Sequence, residues 1–239
     1  MWVYNVAREI YQYDGRMVEL EDTPQNDEEI FQQAANFSFI SEEANKVWVL
    51  EVHQILRADL PRSKVISTHR EPRDVLVSFL AFMKSSFDNS ISCAREVQRY
   101  TEIYKDSDPE YLMLLAYNDI ENRPVELILE IAAFLDVTLT EDKATKIADK
   151  FTRKNVKQII DKSHDALEEK LANQQTADRK EMVYFSDSNY RAFDKKTVFQ
   201  TGHVSQRNTG DWMNVLSESE QRQLNEEFGD WLNQYGYID

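Results

Sequence analysis

Residues 64–79, KVISTHREPRDVLVSF, predict a strand followed directly by a helix, the unit from which α/β folds are built. Its first part, 64–69, is a short run rich in β-branched residues and predicts a strand. Pro72 then opens a helix predicted to run to about residue 87, because its fixed φ and missing N–H cost nothing in a first turn. Arg70 therefore stands at the junction, after the strand and before the helix.

Two further apolar runs predict strands, at 47–53 (VWVLEVH) and at 111–117 (YLMLLAY). Helices are predicted at 2–13, 28–36, 91–105, 124–135, 141–150, 153–173 and 218–234, the last begun by a capping box of Ser217 and Glu220. Residues 14–27 and 176–211 are predicted to be loops. Because strands alternate with helices, we expect a single α/β domain over 1–239, with three α/β/α layers around a mainly parallel central sheet.

Composition limits the function. The chain has 239 residues and a formal net charge of −15, which argues against general nucleic-acid binding because that function needs a basic surface. No apolar run approaches the width of a bilayer and no leader pattern is found, so no membrane partner is expected. The single cysteine, Cys93, cannot form an internal disulfide and favours a reducing, cytoplasmic location. His164 and His203 lack metal-ligand spacing, so no metal site is predicted.

The ends of the three predicted strands carry the candidate chemistry. Ligands of open parallel sheets bind beyond the carboxyl ends of the strands. The first predicted strand ends at His53, the second at His69 and Arg70, and the third at Tyr117. We therefore expect a base, a cation and an aromatic ring to face one crevice.

Arg70 is the sharpest candidate for binding an anion. Its planar guanidinium suits phosphate oxygens, and the N–H groups at the start of the next helix offer further donors. Ser78 adds a hydroxyl roughly 9 Å along the helix axis from Pro72. In the alternative interpretation, Arg70 pairs with Glu71 or Asp74 and Ser78 is only a small packing residue.

The segment from Arg70 to Ser78, R-x-P-R-D-V-x-V-S, resembles the 3′-phosphate-binding segment of PAPS-dependent sulfotransferases. Three further stretches, 1–10, 114–137 and 209–228, resemble other segments of that family in the same order. The resemblance implies a P-loop NTPase-like sulfotransferase fold and PAPS (3′-phosphoadenosine 5′-phosphosulfate) as co-substrate, without a metal. It implies transfer of a sulfuryl group to a hydroxyl or amine of a small-molecule acceptor.

The same resemblance implies the residues that hold the nucleotide. Arg70 and Ser78 would bind the 3′-phosphate, and Arg207 would reach it from the C-terminal part of the chain. Trp2 would stack on the adenine and Tyr117 would border it.

The resemblance assigns catalysis to His53, which matches the family's catalytic histidine. It would act as general base and take the proton from the acceptor during sulfuryl transfer. Histidine suits this task because its ordinary pKa lies near neutrality. The alternative is a strand-end histidine satisfied by a main-chain carbonyl.

Three departures from the family pattern leave other functions open. The family's Lys-Ser-Gly-Thr-Thr-like phosphosulfate loop and its strand are expected to be missing before residue 1. Glu51 stands where many members have lysine, and Ser205 and Gln206 fall within the family's Arg-Lys-Gly position. These departures favour an alternative, a catalytically impaired nucleotide- or partner-binding remnant. A different P-loop-type transferase, such as a small-molecule kinase, is the third hypothesis, against which the absence of a Walker-A sequence argues.

Overall fold

The protein is seen in a computed structural model that describes residues 1–18, 28–29, 32, 45–51, 63–173, 182–186, 189–194, 196–202, 204 and 208–237. Within 183–190 the description is limited to the backbone. The chain divides into two compact units. The first unit comprises Met1–Pro61 and Arg123–Val204, and the second unit comprises Arg62–Asn122 and Ser205–Asp239.

The described helices and strands follow one another along the chain. In order they are α1 (Trp2–Asp14), β1 (Val65–His69), α2 (Pro72–Met83), α3 (Phe87–Tyr104), β2 (Leu112–Ala116), α4 (Tyr117–Asn122), α5 (Pro124–Phe134), α6 (Glu141–Lys150), α7 (Arg153–Ala172), β3 (Met182–Ser186), β4 (Asn189–Ala192), α8 (Trp212–Val215) and α9 (Glu218–Gln234). No described helix is long and apolar enough to cross a membrane.

The second unit is built on a parallel pair of strands. β1 and β2 pair in register from Val65 with Leu112 to His69 with Ala116. Residues Arg70 and Tyr117 directly follow this last pair, so both leave the sheet at its carboxyl edge. The predicted meeting of these two strand ends is thereby confirmed.

The core of the second unit lies between α2, α3 and the C-terminal helix α9. Helix α2 starts at Pro72, as predicted, and ends at Met83, short of the predicted end at about 87. Its C-cap residue, Lys84, has a left-handed φ of 53°. Helix α9 begins with the predicted capping box, since the Ser217 hydroxyl accepts the Glu220 N–H and the Glu220 side chain accepts the Ser217 N–H. The buried residues of this core are Leu76, Val77, Ile91, Ala94, Leu216, Leu224, Phe228, Trp231 and Leu232.

The first unit is mainly helical. Helix α1 packs against α5, α5 against α6, and α6 against α7. Gly15 ends α1 with a φ of 78°, a conformation that glycine adopts without strain. The Tyr11 hydroxyl donates to the main-chain oxygen of Leu135 at 3.2 Å and ties α1 to the end of α5. β3 and β4 form an antiparallel hairpin that packs against α7.

Three predictions about local structure are corrected. The strand predicted at 47–53 is absent from its described part, 47–51, where Val47 makes an isolated parallel bridge with Met17 and the apolar side chains are only half-buried. The loop predicted at 176–211 contains the β3–β4 hairpin, whose strands of 5 and 4 residues are too short to show a clear alternation of apolar and polar side chains. The strand predicted to reach Tyr117 ends at Ala116, and Tyr117 is the first residue of α4. The helix predicted at 28–36 lies mostly outside the described residues.

Candidate functional site

Arg70 and Tyr117 form the centre of the candidate site, in the second unit. The guanidinium carbon of Arg70 lies 4.5 Å from the centroid of the Tyr117 ring, a cation–π contact. The Nε atom of Arg70 is buried, and it has no hydrogen-bond partner in the part of the chain that the structure describes. A buried donor of this kind costs free energy until it meets an acceptor. The site thus offers an oriented cation with an N–H group available for an anion.

The alternative pairing of Arg70 with Glu71 is not what the structure shows. The Glu71 carboxylate accepts the side-chain Nε–H of Arg73 at 2.7 Å and the main-chain N–H of Arg73 at 2.9 Å. Both side chains are buried, and burial raises the pKa of the Glu71 carboxyl while the Arg73 bonds oppose that rise. The N–H of Arg73, one of the donors predicted to be open at the start of α2, is therefore occupied by Glu71, the N-cap residue of the helix.

Asp74 lies in the first turn of α2 and connects the helix to a distant segment. Its buried carboxylate accepts the Gly210 N–H at 3.0 Å from each oxygen. Burial raises the pKa of Asp74, whereas the Gly210 N–H and the charge of Arg70 lower it, which places the guanidinium within electrostatic reach. Ser78, half-buried, lies four residues after Asp74 and hence on the same face of α2.

Arg73 is a structural residue that the sequence analysis did not identify. Its guanidinium lies over the Trp212 ring, 3.9 Å from the centroid. Nη1 donates to Oδ1 of Asn225 at 2.7 Å, and Nη2 donates to the main-chain oxygen of Tyr237 at 3.2 Å. This arginine therefore holds the start of α2 against three parts of the C-terminal segment. The stretches 70–78 and 209–228 both resemble family segments, but only the folded chain shows that they contact each other.

His69 does not share the environment of Arg70, although the two residues are adjacent. The ring of His69 is buried, and its Nδ1 lies 2.9 Å from the Tyr237 hydroxyl. Trp231, Tyr235 and Tyr237 surround it, with ring centroids 6.2, 4.9 and 5.9 Å away. Burial lowers the pKa of His69, and the charge of Asp119 opposes that change. Although it stands beside Arg70 at the end of the second predicted strand, His69 therefore packs in an aromatic cluster.

The remaining predicted site residues lie elsewhere or outside the description. Trp2 is the first residue of α1 in the first unit and is half-buried. Glu51, also in the first unit, pairs with the Met1 amino group at 2.8 Å. His53 and Arg207 lie outside the described residues, so their predicted roles stay predictions. Within the described residues, no group of three or more His, Cys, Asp or Glu side chains is placed to hold a metal ion.

Comparisons with known proteins bear on the fold and on the family. The family model described as "Sulfotransferase domain" matches residues 50–236. Mouse sulfotransferase SULT7A1, crystallised with PAP, is similar with a TM-score of 0.57 and 16% identity over 96% of this chain and 78% of that one. Retinol dehydratase, in complex with androsterone and the inactive cofactor PAP, is similar with a TM-score of 0.55 and 15% identity over 95% of this chain and 77% of that one.

No curated protein matches the sequence significantly. The structural similarities confirm the predicted α/β sulfotransferase fold, to which the parallel β1–β2 pair and its helices conform. The family model covers more than half of the sequence and includes the Arg70 segment, Tyr117 and the C-terminal Gly-Asp-Trp. The chain belongs to the sulfotransferase domain family.

Proposed function

We propose that this protein transfers a sulfuryl group from PAPS to a hydroxyl or amine of a small-molecule acceptor. The observation that carries the proposal is Arg70, held against Tyr117 with a buried, unpartnered Nε among the described residues. Membership of the family and the likeness to sulfotransferases crystallised with PAP support this function over a non-catalytic remnant. The family match, over 50–236, includes residues of both units, and we propose that the chain forms a single sulfotransferase domain over 1–239.

The 3′-phosphate is the group that Arg70 would recognise. The chain carries a net charge of −15, so an anionic nucleotide needs a strong local cation. Glu71 is engaged by Arg73, and Asp74 is engaged by Gly210, so neither forms a close ion pair with Arg70. The Tyr117 ring orients the guanidinium before the ligand arrives, which reduces the entropy lost on binding. Ser78 would add a hydroxyl donor from the next turn of α2.

Three further residues complete the proposed nucleotide site. Tyr117 would border the adenine, and Trp2 would stack on it. Arg207 would supply a second cation, because it precedes Asn208, whose N–H donates to Asp211 at 2.7 Å in the segment that Asp74 anchors. Arginine suits this position since its fork binds two phosphate oxygens at once.

His53 would act as the general base. It would accept the proton of the acceptor hydroxyl or amine while the acceptor atom forms its bond to sulfur. The bond between sulfur and the 5′-phosphate oxygen would break, leaving PAP and a sulfated acceptor, with the proton on His53. Histidine suits this step because its ordinary pKa lies near neutrality. Because Cys93 is the only cysteine, we also propose that the reaction takes place in the reducing cytoplasm.

Two measurements on the full chain test the function. Titration with PAP measures nucleotide binding, and transfer of radioactive sulfate from PAPS to a panel of phenols, alcohols and amines measures turnover. We expect PAP to bind, transfer to at least one acceptor, and loss of transfer in His53→Ala with PAP affinity kept. Binding without transfer to any acceptor would support the remnant, and binding of Mg-ATP in place of PAP would support a kinase.

A further inference from the structure

We propose that Tyr237 is a positioning residue that holds Arg70 in place for recognition of the 3′-phosphate. The inference rests on the proposed function, and it assigns to the C-terminal segment a role in the selectivity of the nucleotide site. Tyr237 contacts a residue on each side of Arg70 in the sequence, His69 before it and Arg73 after it.

Tyr237 holds the turn between β1 and α2 at two points. Its hydroxyl lies 2.9 Å from Nδ1 of His69, the residue before Arg70. Its main-chain oxygen accepts a hydrogen bond from Nη2 of Arg73, three residues after Arg70, at 3.2 Å. The residues that flank the phosphate-binding arginine are thus joined through one residue of the C-terminal segment.

Tyr237 is itself fixed in position, as this role requires. Its N–H donates to the main-chain oxygen of Leu232 at 2.8 Å, and Gly236 makes the preceding turn with a φ of 70°. Its ring stacks on Trp231, with centroids 5.6 Å apart and planes 12° from parallel. Burial raises the pKa of the Tyr237 hydroxyl, which therefore stays neutral beside His69. A neutral hydroxyl keeps the hydrogen bond to the imidazole.

The position of the Arg70 guanidinium depends on this turn. Among the described residues, the Tyr117 ring makes the one ring contact with that side chain. The Tyr117 ring holds the guanidinium from one face, and the buried Nε has no hydrogen-bond partner among the described residues. The direction of a long side chain follows the backbone that carries it. A shift of the backbone at His69 would therefore move the guanidinium relative to both the ring and the phosphate.

The test compares Tyr237→Phe with Tyr235→Phe in the full chain. Both variants remove one hydroxyl from the same aromatic cluster and keep the ring, but only Tyr237 donates to or accepts from His69. The measured quantity is the preference for the 3′-phosphate, the Kd for 5′-AMP divided by the Kd for PAP, together with the melting temperature. We expect Tyr237→Phe to lower this preference about fivefold, the effect of losing one hydrogen bond. Tyr235→Phe is expected to leave it within about twofold.

Replacement of His69 tests the same contact from the other side. His69→Ala is expected to lower the preference as Tyr237→Phe does, whereas His69→Asn restores a polar atom near the position of Nδ1 and is expected to recover most of it. If the contact between His69 and Tyr237 contributes to stability alone, these replacements lower the melting temperature and leave the preference for the 3′-phosphate unchanged.

Arg70→Ala separates the two proposals. If it abolishes the preference while Tyr237→Phe and His69→Ala both retain it, the positioning role is overturned and the proposed function stands. If Arg70→Ala itself retains the preference, the proposed function fails.

Discussion

The Asp74 carboxylate accepts the main-chain N–H of Gly210 at 3.0 Å from each of its oxygens. This contact joins the first turn of α2 to the Thr-Gly-Asp-Trp segment, 136 residues away in the sequence. Gly210 has a φ of 87°, in the left-handed region that side chains rarely adopt. The left-handed backbone at Gly210 and the carboxylate of Asp74 therefore together hold the Thr-Gly-Asp-Trp segment against the first turn of α2.

A side chain at Gly210 is expected to destabilise the protein. Gly210→Ala should lower the free energy of unfolding by about 1–2 kcal/mol, because alanine is strained at this φ. Gly229→Ala is the matched control, since Gly229 lies in helix α9 without a positive φ and an added Cβ meets nothing within 4 Å. That control should raise the free energy of unfolding by about 0.5–1 kcal/mol. Urea denaturation of both variants checks the difference, and equal effects would contradict it.

Arg73 is expected to be essential for the stability of the second unit. Arg73→Ala leaves Glu71 as a buried carboxylate without its ion-pair partner and removes the contacts with Trp212, Asn225 and Tyr237. Breaking a buried pair in this way costs about 3–5 kcal/mol. Urea denaturation is the measurement.

Two control variants accompany Arg73→Ala. Arg73→Lys keeps the charge but lacks the planar fork, so it should recover only part of the loss. Arg95→Ala removes an exposed pair with Glu227 and should leave stability nearly unchanged. Similar losses in Arg73→Ala and Arg95→Ala would show that the buried network has no special role.

The aromatic ring at Tyr117 is expected to matter more than its hydroxyl. Tyr117→Leu removes the cation–π contact and should weaken PAP binding about fivefold, whereas Tyr117→Phe should bind within about twofold of the unaltered protein. Calorimetric titration with PAP measures both. A greater loss of PAP affinity in the phenylalanine variant than in the leucine variant would contradict a role for the ring in holding Arg70.

The burial of His69 predicts a pH dependence of stability. The pKa of His69 lies below its ordinary value of 6.5 in the folded protein, chiefly because of burial, so the unfolded chain binds this proton more readily. This contribution to stability is therefore present above the unfolded pKa and is lost as the pH falls below about 6.5 towards the folded pKa.

Urea denaturation between about pH 8 and 5.5 measures the effect, and His69→Asn should flatten the slope over this window. Glu71 and Asp74, whose pKa values are raised by burial, act in the opposite direction. Their contributions are present at acid pH and are lost as the pH rises through their folded pKa values. An unaltered slope in His69→Asn would assign the pH dependence to other groups.

The strand-to-helix junction could be predicted because its determinants are local. The β-branched run before His69 and the proline at position 72 favour a strand and a helix without help from the rest of the chain. The same holds for the helices over Glu141–Lys150 and Glu218–Gln234, which match their predicted bounds and begin with side-chain caps. Parallel pairing then places Arg70 beside Tyr117, as the rule for strand ends predicts.

Features that depend on distant contacts could not be predicted. Residues 47–51 have the composition of a strand, but in the described part only Val47 finds a ladder partner, Met17. The imidazole of His69 points into an aromatic cluster because successive residues of a strand face opposite sides, and the sequence does not say which side is the crevice. The role of Arg73 required the structure, since its partners come from three separate positions in the C-terminal segment.

Arg70 is proposed to recognise the 3′-phosphate of the nucleotide. The most direct measurement is calorimetric titration of the unaltered chain and of Arg70→Ala with PAP and with 5′-AMP, which lacks that phosphate. We predict that the unaltered chain prefers PAP by about tenfold or more, the range of one charge-assisted hydrogen bond, and that Arg70→Ala loses this preference while its 5′-AMP affinity stays unchanged. An equal preference for PAP in both proteins would contradict the claim.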